Sequence, residues 1–83
     1  LRVLRLHPGG FDDPISCELH VTRLRRGLSY EAISYVWGDP KDTAAIQCEG
    51  RPMHITVNLR DALRRFRDRK DVRTLWADAI CIN

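Results

Sequence analysis

No stretch of this 83-residue chain approaches the roughly 20 consecutive apolar residues of a membrane-spanning helix, and positions 1 to 6 carry two arginines where a secretory leader would be apolar. Neither a span nor a leader is expected. The three cysteines, Cys17, Cys48 and Cys81, are spread too widely for a zinc spacing and are odd in number, so they cannot close a complete disulfide framework. Reduced, mostly buried thiols in a cytoplasmic protein are expected instead. His7, His20 and His54 are scattered without a metal pattern and read as surface or edge residues. There is no glycine-rich phosphate loop, nucleophile elbow or zinc motif, so neither a metal nor a resident cofactor is expected. An initiator methionine is also missing, and the chain stops straight after the apolar run LWADAICIN, so it reads as part of one domain rather than a complete one.

The formal net charge is +3, and much of that excess sits in Arg60, Arg64, Arg65, Arg67, Arg69 and Lys70. These residues fall on one predicted helix over positions 58 to 69, with Lys70 directly at its end. Asn58 supplies a capping oxygen, Asp61 a carboxylate near the positive end of the helix dipole, and Leu59, Ala62, Leu63 and Phe66 an apolar stripe. The basic residues then form a solvated face. A nucleic-acid surface would want interleaved aromatics or a recognised module beside them, and neither is present.

Upstream, RVLRL at positions 2 to 6 alternates polar and apolar residues, and Ile15, Cys17, Leu19 and Val21 recur at period two. Two antiparallel strands forming an N-terminal ribbon are expected, joined by the loop HPGGFDDP. The runs flanking Glu49-Gly50-Arg51-Pro52 read as a hairpin, with Gly50 free to take the positive φ that tight turns demand. A last strand is expected over positions 72 to 80. A strand, a helix and a second buried strand make a βαβ unit, with the hairpin inserted before the helix.

The stretch YEAISYVWGDP, positions 30 to 40, is the least ordinary part of the chain. Ile33 to Trp37 reads as a central strand, and Gly38 and Pro40 end it abruptly. In open parallel sheets ligands bind beyond the carboxyl ends of the strands. Here those ends carry Trp37-Gly38-Asp39 on one strand and Asp78 to Asn83 on the other. Trp37 and Trp76 read as core aromatics, and Asp39 as a turn former. A carboxylate inside an apolar strand is costly without a partner, so Asp78 either caps nearby loop amides or faces a ligand.

These blocks resemble a known family. YEAISYVWGDP, then NLRDALRRFR, then LWADAICIN, is similar to the N-terminal part of the heterokaryon-incompatibility (HET) domain, whose pattern runs Tyr-x-Ala-Leu-Ser-Tyr-x-Trp-Gly, a hairpin, Asn-Leu with a helix, and Leu-Trp-x-Asp-Ala-x-Cys-Ile-Asn-Gln. Ile33 stands in place of the family's Leu. The resemblance implies a C-terminally truncated HET domain spanning residues 1 to 83, an α/β module of fungal nonself recognition that triggers programmed cell death in a larger protein. It would act through protein partners or self-association. The family is in turn similar to TIR domains, whose first strand, helix and second strand would match positions 30 to 39, 58 to 69 and 72 to 80. Some TIR domains cleave NAD, which makes NAD a possible substrate of the complete domain. Their catalytic glutamate lies on a later helix, so no residue here inherits that role. The resemblance and the strand ends together make Ser34, Trp37, Gly38, Asp78 and Asn83 the candidate pocket residues. A nucleotide-cleaving enzyme and a basic nucleic-acid-binding module are the alternative readings.

Overall fold

A computed structural model describes residues 1–23 and 29–82 of the chain. Alternating side chains give β1 (Arg2–Leu6) and β2 (Ser16–Val21), which pair antiparallel from Arg2↔Val21 to Leu6↔Cys17. β3 (Glu31–Ala32) is short. β4 (Thr43–Cys48) and β5 (Arg51–Thr56) form the expected hairpin around Glu49 and Gly50, both at positive φ (55° and 77°). Two consecutive left-handed residues match the twist of the flanking strands. α1 (Val57–Phe66), β6 (Arg73–Trp76) and the single turn α2 (Asp78–Cys81) complete the order.

All six strands form one mixed sheet in the order β3-β6-β1-β2-β4-β5. β3 and β6 are parallel neighbours, as the βαβ reading requires, and the connection between them runs through the hairpin and α1. The hairpin is a full member of the sheet, because β4 pairs parallel with β2. α1 packs on β4 and β5, and α2 on β1. The core holds Leu4, Leu6, Ile15, Cys17, Ile46, Ile55, Leu59, Leu63, Leu75 and Ile80, so α1 meets the sheet through its expected apolar stripe. Tyr35, Phe66 and Trp76 pack around that core half-buried.

Four expectations change. Ile33 to Trp37 is not a central strand: only Glu31 and Ala32 join the ladder, at the sheet edge, although the buried Ile33 still donates its N–H to the Trp76 carbonyl at 3.0 Å. Beyond it the chain turns toward α1. The helix begins at Val57 with Thr56 as its cap, the Thr56 hydroxyl accepting from the Leu59 N–H at 3.2 Å, because the Asn58 side chain is engaged elsewhere. It also ends early. Arg67 adopts extended backbone (φ −68°, ψ 130°), leaving positions 67 to 69 outside the helix. Lastly, β6 stops at Trp76 and the chain enters α2, where Asp78 occupies the first turn and is favoured by the helix dipole.

Candidate functional site

Because β3 and β6 run parallel in register, Glu31↔Leu75 and Ala32↔Trp76, their carboxyl ends emerge at one edge of the sheet. Arg73 and Glu31 pair across these strands. From that edge Ser34 to Lys41 forms a loop facing the start of α1. Gly38 has φ +71°, and a Cβ added there would lie 2.4 Å from Asn58 Nδ2. The same Nδ2 donates to the Val36 carbonyl at 2.9 Å, so the loop is pinned against the first turn of α1. Asp39 forms the turn expected of it: its Oδ1 accepts from the Lys41 N–H at 2.9 Å, and its carbonyl from the Asp42 N–H at 3.1 Å.

The pinned loop and α1 enclose a cavity of about 210 Å³ lined by Tyr35, Val36, Asn58, Asp61 and Arg65. Partial burial, and then the negative charge of Asp78, raise the Tyr35 phenol above its ordinary value. Asp61 carries paired charge, with Arg60 at 3.2 Å and Arg64 at 3.9 Å. Above the cavity the loop holds two large apolar side chains in water, Val36 at 79% and Trp37 at 62% exposure. These exposures overturn the expectation of Trp37 as a core aromatic: the turn at Gly38 points its indole outward.

The candidate residues are only partly brought together. Ser34 is exposed on the loop. Gly38 abuts Asn58, and Asp78 is half-buried one strand away, its Oδ1 accepting from the Ala79 N–H at 2.7 Å. Asp78 caps a local amide, in line with the first of its two expected roles. Asn83 lies outside the described residues. None of Ser34, Trp37, Gly38 and Asp78 lines the cavity, and the residues that do were not singled out as pocket residues from sequence. Asn58 carried a usable signal, because with Thr56 two places earlier able to cap the helix its amide is free to bond elsewhere.

The arginine-rich segment is not a uniform solvated face. Arg60 and Arg64 share Asp61, and Arg64 also stands over the Phe11 ring, 5.9 Å from its centre. Arg67 is only 9% exposed; its Nη1 donates to the Pro14 carbonyl at 3.0 Å and its Nη2 to the carbonyls of Phe11 and Asp13 at 3.0 Å, with Gly10 as a further acceptor. Among the described residues no helix is long and apolar enough to cross a membrane, and no group of His, Cys, Asp and Glu is arranged to hold a metal ion.

The fold and this edge define a small α/β module that displays an aromatic loop clamped to a helix. Residues 30–83 match the heterokaryon incompatibility protein (HET) family, a range that includes the loop, Asn58 and α2. The chain belongs to that family. It is 35% identical, across 100% of its own length, to heterokaryon incompatibility protein 6, OR allele, of Neurospora crassa, and spans 14% of that protein. No solved structure matches the chain.

Proposed function

We propose that the chain is the N-terminal portion of a HET domain that serves fungal nonself recognition and, in its full-length parent in the cytoplasm, triggers programmed cell death by associating with protein partners or with further copies of itself. The observation that carries this reading is the exposure of Val36 and Trp37 on a loop fixed by Gly38 and Asn58. An indole held in water on a preorganised backbone loses little entropy on binding, and Trp is among the commonest residues at the energetic centres of protein interfaces. The cavity beneath, about 210 Å³, is below the roughly 300–1,000 Å³ of ordinary small-molecule sites. Protein contact therefore suits this edge better than enclosure of a dinucleotide such as NAD.

The test is Trp37→Ala in the full-length parent, with Asp78→Asn beside it, scoring cell viability, self-association and partner capture, protein level and melting temperature. Trp37→Ala should melt within about 3 °C of the parent, because substitutions at exposed positions seldom exceed about 0.5 kcal/mol. It should nevertheless lose killing and association. Asp78→Asn should keep the fold and weaken killing if the charge acts on the loop through Tyr35. Undiminished killing by a folded Trp37→Ala protein would overturn the association reading, and undiminished killing by Asp78→Asn would leave Asp78 a local cap.

A further inference from the structure

Cys17 and Cys48 occupy partnered positions on the neighbouring parallel strands β2 and β4. Partnered residues on adjacent strands point to one face with their backbones about 4.8 Å apart, inside the roughly 4.4–6.8 Å between Cα atoms that a disulfide spans. The surroundings agree with a shared face: Cys17 and Ile46 belong to the core cluster, and Cys48 packs against it. Burial first, and then Cys48 as a charged and hydrogen-bonding neighbour, push the Cys17 thiol up to about 12. Cys17 also donates its S–H to the Gln47 carbonyl at 3.5 Å. Cys81 acts on Cys17 by charge alone, and its own sulfur accepts from the Ala77 N–H at 3.4 Å inside α2.

The pair sits at a weak seam of the sheet. β2 and β4 share two partnered residue pairs, as few as β3 and β6, whereas β1 and β2 share five and β4 and β5 share six. A covalent bond at this seam would tie the N-terminal ribbon to the hairpin. The two thiols are also unlike each other, since Cys17 is fully buried and Cys48 is partly open to solvent.

We propose that Cys17 and Cys48 form an oxidation site at which hydrogen peroxide, entering at the more accessible Cys48, leads to a disulfide across the β2–β4 seam. In the first step the Cys48 thiolate attacks one peroxide oxygen. The O–O bond breaks, hydroxide leaves, and Cys48 becomes a sulfenic acid, oxidised by the two electrons that reduce the peroxide. In the second step the Cys17 sulfur bonds to that of Cys48 as the S–O bond breaks, and the departing hydroxyl leaves as water with the Cys17 proton.

The experiment exposes the reduced chain to hydrogen peroxide, blocks free thiols and digests without reduction. A tryptic peptide joining residues 6–23 to residues 42–60, lighter by two hydrogens than the sum of its halves, is the expected product. The oxidised chain should melt at least about 5 °C higher than the reduced one, because the bridge closes a long loop in the unfolded state. Cys48→Ser, at a half-exposed position that tolerates the change, should remove both the linked peptide and the melting shift, whereas Cys81→Ser should keep both. Cys48 ending as sulfinic acid beside a free Cys17, a bridge to Cys81, or a bridge between two chains would each overturn the proposal.

Discussion

Replacing Arg67 with Ala should destabilise the domain far more than the same change at Arg69, although the two stand two places apart in one basic run. Among the described residues the Arg67 guanidinium supplies the side-chain hydrogen bonds between the end of α1 and the loop Gly10–Pro14, through the carbonyls of Gly10, Phe11, Asp13 and Pro14, beside the stacking of Arg64 on Phe11. The loop is also held next door, where the Gly9 N–H donates to the Asp68 carbonyl at 3.0 Å. A hydrogen bond from a charged donor contributes about 1.5–3 kcal/mol net. The four do not add, because loop carbonyls released by the mutation can be hydrated, so about 3 kcal/mol for the whole set is a reasonable total. Against a total stability of about 5–15 kcal/mol that is a large fraction, and at about 4–8 °C per kcal/mol it lowers the melting temperature by about 12–24 °C. Arg69 is exposed, and its loss should change stability by no more than about 0.5 kcal/mol. Arg67→Lys should recover only part of the deficit, since an ammonium lacks the planar fork that reaches several acceptors at once. Thermal unfolding followed by circular dichroism measures all three variants. Melting temperatures for Arg67→Ala and Arg69→Ala within about 3 °C of each other would refute the reasoning.

Gly38→Ala should cost about 2–3 kcal/mol in urea unfolding, from the left-handed backbone and the displaced Asn58–Val36 bond, and combining it with Asn58→Ala should cost less than the two changes added separately. Glu49→Asn should raise stability by about 0.5–1 kcal/mol, because Asn tolerates the φ of 55° that Glu49 adopts in the hairpin turn; an unchanged or lower urea midpoint would count against that turn geometry. Alkaline pH should weaken the fold. Cys17 is raised from the ordinary thiol value of 9.0 to about 12, so above pH 9 the unfolded chain gives up this proton while the folded chain keeps it, and stability present below pH 9 is lost progressively toward pH 12. Tyr35 and Cys81 are shifted in the same direction. The melting temperature should fall between pH 8 and 11 and fall less in Cys17→Ala, and a flat profile in the parent would contradict the burial of that thiol.

The elements that could be read from sequence are those whose signal is local. β1 and β2 alternate, the hairpin carries its own turn at Glu49-Gly50, and α1 shows its stripe at Leu59, Ala62, Leu63 and Phe66, so each was placed within a few residues. The misreadings occur where a tertiary contact outweighs local preference. Ile33 to Trp37 has the composition of a strand, yet Asn58 and Gly38 draw it off the sheet after Ala32. LWADAICI reads as one buried run because a single helical turn shows no periodicity, and Asp78 in its middle was the available hint of a new start. Arg67 looks like its neighbours in the sequence. Only the loop that folds over it, more than fifty positions earlier, makes it different. The same applies to the candidate site: the strand-end rule points to the edge where β3 and β6 end, whereas the cavity is lined by the loop residues Tyr35 and Val36 together with α1, whose rotation depends on how its stripe docks.

The position of β6 between β3 and β1 has a consequence for the making of the protein. A chain leaves the ribosome from its N-terminus, so β1, β2 and the hairpin can assemble as they emerge, each beside a partner already made. β3 cannot. Among the described residues its one neighbour in the sheet is the strand that ends at Trp76, and at about 5–20 residues per second the stretch from Ala32 to Trp76 takes roughly 2–9 s to synthesise. For that interval the free flank of β1 presents unpaired backbone groups to whatever lies near, including the same flank on a neighbouring nascent chain. Codon usage that slows translation between the hairpin and β6 would lengthen this exposure, and the yield of soluble protein should fall with it.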